Sequence, residues 1–346
     1  MEKFAFYIGV DVSRNTLDVH CAELNKHITI PNRTEGFRMF HCLCRENGID
    51  LKNAFVALEY TGGYEYRFIQ HLHDKQISFA RIPGIAIKHS LGITRGKSDK
   101  IDAKRIATYA EEKRRQLSPE KPVDKTIIAI KELLGLRKRL VRESAGYKAT
   151  IKERKHMYGV GNKDFIVAVL LKKEAGNKRL IEKTEQQITL LVKENPAIHH
   201  SFKLLTSIKG IGKVNAWMTI TYTENFTSFP NARSYAVYVG VIPFDYSSGT
   251  SIKGRKRVSH LANKELKQEL SQAARSAIQW DTEMRLYAEK KLENKHYGIV
   301  VNNIRFKLIL RMFAVIKRGE KYVDKYANVA WFENKFGRLY ILEYKL

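Results

Sequence analysis

The sequence predicts an α/β domain at the N-terminus, a helical middle segment and a mainly helical C-terminal domain. Short apolar runs alternate with helical patterns over residues 1–115, which is typical of a sheet covered by helices. Two long amphipathic patterns fill residues 116–200, after a segment that holds two of the chain's seven prolines. Residues 201–346 combine further helical patterns with breaks that contain glycine. We therefore expect three parts with these boundaries, of which the middle one is coiled-coil-like.

Three strands are predicted at the start of the chain. Aromatic and β-branched residues fill the run 4–13, whose length suits a buried strand. The alternating residues 16–22 and the shorter run 26–30 predict two further strands, and the three would form an antiparallel meander. The first strand delivers Asp11 to the edge of a sheet, where a carboxylate is costly unless it is solvated, hydrogen-bonded or bound to a cation. A strand-end aspartate that caps a turn is the ordinary alternative.

A second strand that ends in a carboxylate follows. Thr34 is predicted to cap a helix whose apolar residues are spaced three and four apart. The apolar run 54–59 then predicts a strand that ends in Glu59, and a pair of glycines breaks the run after it. Another helix and a strand at 77–82 complete an α/β sheet with helical cover.

The last helix of this domain carries Asp99 and Asp102. Their spacing of three places both carboxylates on one helical face, where like charges repel. A divalent cation would relieve that repulsion, and Mg²⁺ prefers a few carboxylates with water or phosphate in its other positions. With Asp11 and Glu59, one sheet edge could gather four acids around one or two metal ions, as in-line phosphoryl displacement requires. The alternative is an exposed acidic patch among neighbouring lysines.

The chain is strongly basic. It has 62 Lys and Arg residues against 36 Asp and Glu, a formal net charge of +26, which exceeds what solubility requires and predicts a polyanionic partner. DNA or RNA is the leading candidate, and an anionic membrane surface is the second. No segment approaches the roughly 18 apolar residues of a spanning helix, and no secretory pattern begins the chain. We therefore expect a cytosolic protein without a membrane partner, and reduced cysteines.

The middle of the chain predicts two long helices, at residues 127–155 and 178–194. The first has a crowded basic face that could follow a phosphate backbone. The pair suits a spacer or an oligomerisation arm. Simple packing of one helix on the other is an equal alternative.

Two glycines beyond residue 200 separate apolar helical segments. Gly210 and Gly212 would let backbone amides approach a phosphate, and Lys209 and Lys213 add positive charge beside them. The pattern is similar to a helix-hairpin-helix turn, which binds DNA backbones without reading their sequence. A simple turn between two helices is the alternative.

A stretch rich in hydroxyl groups, residues 244–251, follows an apolar helix that ends at Gly240 and Pro243. Hydroxyls beside cations suit phosphate binding. One of these serines could also act as a nucleophile, because a covalent intermediate conserves bond energy during strand transfer. The local sequence alone favours a flexible loop. A basic cluster follows the stretch directly, namely Lys253, Arg255, Lys256 and Arg257.

Three motifs of the first domain carry a family resemblance: Tyr7-Ile8-Gly9-Val10-Asp11, Glu59-Tyr60-Thr61-Gly62-Gly63-Tyr64 and Lys97-Ser98-Asp99-Lys100-Ile101-Asp102-Ala103. In this order and spacing the domain resembles the ribonuclease-H superfamily. More narrowly, it resembles the RuvC-like domain of the insertion sequence 110 family of DEDD transposases, which includes the Piv DNA invertases. The resemblance implies that Asp11, Glu59, Asp99 and Asp102 bind Mg²⁺ or Mn²⁺. Asp18 matches nothing in the pattern, and we expect it to face solvent.

The C-terminal part resembles the transposase domain of the same family, through Gly240, Pro243, Ser248-Gly249, Ser251 and Gly254. The resemblance implies that Ser248 is the nucleophile, because it precedes the matched glycine. Ser247 stands where the family often has Glu, which makes it a rival nucleophile. Lys267 stands where the family often has Arg, so the phosphate contacts are in doubt.

The resemblance implies a transposase or site-specific recombinase of a mobile element that acts on donor and target DNA. It further implies a bridging guide RNA encoded by the element, and a dimer or tetramer in which different protomers can supply the acids and the serine. Such a protein would act at the nucleoid of a bacterium or archaeon. One alternative is a metal-dependent nuclease, such as a junction resolvase, in which water attacks the phosphate. The other is a nucleic-acid-binding protein without catalysis.

Overall fold

The structure is a computed structural model that describes residues 4–90, 99–248 and 252–324. The chain divides into two compact units, Met1–Pro122 and Val123–Leu346. In the described ranges, no helix combines the length and the apolarity that crossing a bilayer requires.

A mixed five-stranded sheet forms the centre of the first unit. Its strand order is β3-β2-β1-β4-β5. The first three strands form the predicted antiparallel meander, whereas β1, β4 and β5 run parallel to one another. The strands are β1 (Phe6–Val12), β2 (Thr16–Cys21), β3 (Lys26–Pro31), β4 (Ala54–Glu59) and β5 (Ser78–Ile82).

Helices cover both faces of this sheet. Alternate residues of β1 point to opposite sides, so that Ile8 and Val10 pack under α1 and α2 while Tyr7 packs on the α4 side. The prediction that Thr34 caps a helix is wrong by one residue, because Arg33 is the N-cap and Thr34 is already helical. The short helix α3 was not predicted. The helices are α1 (Thr34–Glu46), α2 (Tyr66–Asp74), α3 (Gly84–Ser90) and α4 (Asp99–Glu112).

Two long antiparallel helices, α5 (Lys125–Tyr158) and α6 (Phe165–Glu194), begin the second unit. Ion pairs connect them along their length, from Arg137–Glu185 through Lys148–Glu174 to Arg154–Asp164. Helix α6 starts thirteen residues earlier than the periodicity predicted. The reason is local: the Asp164 side chain accepts a hydrogen bond from the Val167 amide and caps the helix there.

The rest of the second unit is a helical core with one β-hairpin. Trp217 and Tyr235 are its largest fully buried side chains. The local sequence favoured a loop over residues 244–251, whereas residues 244–248 pair with residues 252–257 as two strands. Residues 249–251 and the aromatic tail at 331–346 lie outside the described residues. The elements are α7 (Pro196–Thr206), α8 (Lys213–Tyr222), α9 (Ala232–Val239), β6 (Phe244–Ser248), β7 (Ile252–Arg257), α10 (Lys264–Trp280), α11 (Thr282–Leu292) and α12 (Tyr297–Arg318).

Candidate active site and nucleic-acid interface

Two of the predicted acids lie at the same edge of the first unit's sheet. Strands β1 and β4 are parallel neighbours, and Val10 is in register with Leu58. Asp11 and Glu59 are the next residues along the two strands. Because neighbouring parallel strands end at one edge, their carboxylates come together there.

Helix α4 brings the other two acids to this edge. Asp99 and Asp102 occupy its first turn, and the helix crosses β1 at Gly9. A Cβ atom at Gly9 would lie 2.3 Å from both the Ala103 carbonyl oxygen and the Ala107 nitrogen. Only glycine therefore lets the helix backbone approach the strand this closely. We call Asp11, Glu59, Asp99 and Asp102 together the acidic edge.

The four carboxylates of the acidic edge influence one another electrostatically. Partial burial, followed by the charges of Asp102, Asp99 and Glu59, raises the pKa of Asp11 to about 6. Asp102 also accepts a hydrogen bond of 2.9 Å from Arg105. Among the described residues, no three acid, His or Cys side chains are yet close enough together to hold a metal ion. The donor chemistry nevertheless fits a hard divalent cation such as Mg²⁺ or Mn²⁺, because every ligand would be a carboxylate oxygen.

Gly84, at the start of α3, leaves room for one of these carboxylates. A Cβ atom built on Gly84 would lie 2.0 Å from Oε1 of Glu59. The Glu59 carboxylate can therefore occupy its position only because residue 84 has no side chain. Sequence reasoning did not single out Gly84. The Pro83-Gly84 pair indicates a turn, but only the fold shows which side chain faces it.

Glu65, which lies six residues after Glu59, has a structural role. Its carboxylate accepts hydrogen bonds from the Thr61 hydroxyl at 2.5 Å and from the Gly63 amide at 2.9 Å. Burial by itself would raise the pKa of Glu65, yet these hydrogen bonds keep it below its usual value. Glu65 therefore fixes the glycine turn that follows Glu59.

The prediction that Asp18 faces solvent is wrong. Its residue is 6% exposed, and its carboxylate accepts a 2.6 Å hydrogen bond from the Thr29 hydroxyl and lies 3.0 Å from Nε2 of His27. Asp18 is the cross-strand partner of Asp11, so the two side chains share one face of the sheet. The alternation in β2 correctly separates its two faces. It could not show that α4 also packs against β2 and covers the polar face.

The predicted helix-hairpin-helix turn lies between α7 and α8. Gly210 has φ +93°, and a Cβ there would lie 2.7 Å from the Ala273 carbonyl oxygen, so this turn packs tightly on α10. Gly212 is the N-cap of α8, and because it has no side chain it makes no capping hydrogen bond to the first amides of the helix. Lys213 is the first helical residue, whereas Lys209 is paired with Asp324 at 2.5 Å.

Strands β6 and β7, which we call the serine hairpin, carry the second predicted site. Ser247 is in register with Lys253, and Ser248 with Ile252. The side chains of both serines and of Lys253, Arg255 and Lys256 lie outside the described set, and Arg257 is exposed.

The two ends of the serine hairpin meet at Gly240. This residue has φ +77°, and a Cβ there would lie 2.3 Å from the Cβ of Ala262. The amide of the next residue, Asn263, donates a 2.9 Å hydrogen bond to the Tyr238 carbonyl. The chain segments before and after the hairpin are thus fixed to each other at its root.

Two family models match this chain. Residues 8–157 match the DEDD transposase model of the IS110 type, and residues 202–289 match the transposase model described as the IS116/IS110/IS902 family. The first range contains the whole acidic edge, and the second contains the serine hairpin. The fold and these matches define a DNA transposase or recombinase. Since the two ranges together span more than half of the chain, the protein belongs to the IS110 family.

Known relatives carry related names. The pilin gene-inverting proteins of Moraxella bovis and Moraxella lacunata are each 25% identical over 330 residues, which are 91% of this chain and 97% of each relative. The insertion element IS110 uncharacterized 43.6 kDa protein of Streptomyces coelicolor is 27% identical over 168 residues, which are 48% of this chain and 40% of that protein.

Proposed function

We propose that this protein is the transposase or site-specific recombinase of an insertion sequence, and that it cuts and rejoins DNA through the hydroxyl of Ser248 together with the acidic edge. The observation that carries the proposal is that Asp11, at the edge of the sheet, has its pKa raised first by burial and then by the charges of Asp102, Asp99 and Glu59 nearby. Mutual repulsion of this kind is relieved by a divalent cation, and the family's DEDD domain suggests dependence on one.

The acidic edge would hold Mg²⁺ or Mn²⁺, and such a cation supplies Lewis-acid polarisation of a phosphate when it is bound. Asp11 must lose its proton to become a ligand. The Ser248 oxygen attacks the scissile phosphorus, loses its proton, and forms a phosphodiester with the protein as the DNA oxygen leaves with a proton. A free DNA hydroxyl then attacks the same phosphorus and releases the serine. The number of bonds to phosphorus is conserved throughout, so no external energy source is needed.

Two groups of residues would hold the nucleic acid. In the turn before α8, Gly210, Gly212 and Lys213 present amides and charge to a backbone phosphate. Lys209 contributes less while it is paired with Asp324. The cations after the serine, Lys253, Arg255, Lys256 and Arg257, would flank the reacting strand. A net charge of +26 accommodates donor DNA, target DNA and a bridging guide RNA.

The assembly we propose follows the family. Residues 1–115 form a RuvC-like domain of ribonuclease-H type, residues 116–200 an arm that spaces or joins protomers, and residues 201–346 the transposase domain. A dimer or tetramer at the nucleoid would carry out the reaction, and separate protomers can supply the serine and the acids.

The decisive experiment replaces the nucleophile. Ser248→Ala should abolish recombination and the covalent protein–DNA adduct, which denaturing electrophoresis of labelled DNA detects, because the proposed attacking hydroxyl is then missing. Ser247→Ala is the matched control and should keep both activities. If Ser247→Ala instead removes the adduct, the neighbouring serine is the nucleophile.

The same assay separates the alternatives. Cleavage at a normal rate in Ser248→Ala would favour a nuclease that activates water, such as a junction resolvase. Asp102→Ala should stop cleavage while the affinity for DNA stays within about twofold, since a single half-buried acid contributes little to backbone binding. Unchanged activity in Asp102→Ala would favour a binding protein without catalysis.

A further inference from the structure

Three cations lie together between α10 and α12, and we call Lys267, Arg275 and Arg305 the cationic cluster. Lys267 and Arg275 are two turns apart on α10, and Arg305 extends from α12, which packs against α10. Lys267 and Arg305 are half-buried. Burial and the charge of Arg305 lower the pKa of Lys267, and burial and the charge of Arg275 lower the pKa of Arg305. The charge of Arg305 is therefore opposed by its neighbours Lys267 and Arg275, and Lys267 and Arg305 have reduced access to water whereas Arg275 is exposed.

No carboxylate of the described residues forms an ion pair with this cluster. Arg305 donates from Nη1 to the Asn302 side-chain oxygen at 3.0 Å. Its Nε is buried and has no acceptor within the described part of the chain. A buried guanidinium nitrogen without an acceptor is costly, because it has lost its water without replacing it.

Another arginine of the same helix shows what a structural arginine looks like in this protein. Arg311 donates to Asp281 at 2.6 Å and to Glu283 at 2.7 Å, and it lies over the ring of Tyr322. Its charge is thus fully compensated by the fold. Arg305, six residues earlier, has an amide oxygen as its described partner. Within the described ranges no acid complements the charge of Arg305, which leaves this guanidinium available to an anionic ligand.

The cationic cluster is connected to the root of the serine hairpin. The side-chain amide of Asn302, which contacts Arg305, also donates a 2.8 Å hydrogen bond to the Val241 carbonyl. Val241 directly follows Gly240, where the two ends of the hairpin meet. Lys267 lies one turn beyond Asn263, which is bonded to Tyr238 on the other side of the same junction. An anion held by the cluster would thus be held at the base of the hairpin.

We propose that Lys267 and Arg305, supported by Arg275, form a binding site for one backbone phosphate of the DNA strand on which the serine hairpin acts. A guanidinium and an ammonium group suit a phosphate, since the guanidinium can donate two parallel hydrogen bonds and the ammonium adds charge. Such a contact positions a strand and does not read its sequence. The choice of DNA rests on the proposed function, but the anion site itself can be tested without catalysis.

The first experiment measures thermal unfolding of the full-length protein at low ionic strength with inorganic phosphate as the probe. Phosphate about tenfold above its Kd should raise the Tm of the parent by about 2 to 4 °C. Lys267→Gln and Arg305→Gln should lose most of that shift. Without phosphate they should be as stable as the parent or slightly more stable, because a repelling charge has been removed. Lys264→Gln and Arg318→Gln, on exposed positions of the same two helices, are the matched controls and should keep the full shift.

The second experiment measures affinity for a short DNA duplex. Each of the two cluster variants should bind it about threefold to tenfold more weakly. The slope of log K against log salt concentration should decrease by about the amount expected for one phosphate contact. Arg305→Lys retains the charge and should recover part of the binding. Both measurements detect binding alone and need no catalysis, so that a failure of the proposed chemistry does not affect this result.

Three outcomes would overturn the proposal. Equal phosphate shifts in the cluster variants and the controls would show that the site binds no anion. A large loss of Tm without phosphate in Arg305→Gln, shared by Arg305→Lys, would show a packing role. If the cluster variants bound RNA more weakly but DNA as tightly as the parent does, the site would bind RNA and not the DNA strand that we propose.

Discussion

The acidic edge of the first unit and the cationic cluster of the second both gather like charges, but with opposite signs. In the acidic edge, burial and three carboxylates raise the pKa of Asp11 to about 6. In the cationic cluster, burial and a neighbouring cation lower the pKa of Lys267 and of Arg305. In each case the folded protein disfavours the charged form of these side chains. The comparison shows where ligands of opposite charge are expected, a metal cation at one site and a phosphate at the other.

The contrast with compensated charges strengthens this conclusion. Arg311 with Asp281, and Arg81 with Glu120 at 2.8 Å, are ion pairs that the fold completes by itself. Such pairs fix helices and strands. Charges that repel one another do not stabilise the fold, and the ligands that we propose would account for their positions.

The largest expected effect comes from Gly9→Ala, which should disrupt the acidic edge and leave the cationic cluster intact. The new methyl group would overlap the backbone of α4 and force the helix, with Asp99 and Asp102, away from β1. We expect a loss of about 3 kcal/mol in the free energy of unfolding, measured by urea denaturation, and loss of DNA cleavage. Gly161→Ala, where a Cβ meets nothing within 4 Å, should change neither quantity. The phosphate-dependent Tm shift of the second unit should persist in both variants.

A substitution with a smaller expected effect, Gly84→Ala, separates an effect on the acidic edge from an effect on stability. Its methyl group would displace the carboxylate of Glu59, which is the end of a flexible side chain and can move at little cost. We expect DNA cleavage to fall by about 10- to 100-fold, while the free energy of unfolding changes by less than about 1 kcal/mol. Single-turnover kinetics and urea denaturation check the two expectations. Cleavage at the parental rate would mean that the position of Glu59 is unimportant, and the acidic edge would then lose one of its four members.

The smallest expected effect is a dependence on pH. Because the folded protein raises the pKa of Asp11 from 3.8 to about 6, the folded state binds a proton more tightly than the unfolded state does. The stabilisation from this proton is complete below about pH 4 and is lost as the pH rises through 6. In EDTA at pH 8, Asp11→Asn should therefore be more stable than the parent by about 1 kcal/mol, after a discount for solvent screening. The gain should vanish near pH 4.

Two controls accompany this measurement. Glu46→Gln, at an exposed position of α1, should show no comparable gain. Adding Mg²⁺ or Mn²⁺ at pH 8 should raise the Tm of the parent and not that of Asp11→Asn. A parent that is insensitive to both ions, and as stable as Asp11→Asn in EDTA at pH 8, would remove the acidic half of the comparison.

The sequence predicted the elements that carry the acidic edge. The runs that end at Asp11 and Glu59 are strands, and the pair Asp99 and Asp102 begins a helix. Local patterns suffice for this, because apolar alternation and strand-end position are properties of neighbouring residues. The longer elements were predicted less well. Helix α6 begins at Phe165, since a cap at Asp164 determines its start, and the serine segment forms a hairpin rather than a loop.

The sequence by itself determined the strands and helices that hold the four acids, the excess of positive charge and the resemblance of the motifs to a transposase family. Only the tertiary structure decided that α4 crosses β1 at Gly9, that Gly84 faces Glu59, that Asp18 is buried and that Arg305 has no acidic partner in the part of the chain that the structure describes. The physical reason is that periodicity reports which residues share a face. What covers that face depends on segments far away in the chain, and so do burial, clearance and charge compensation.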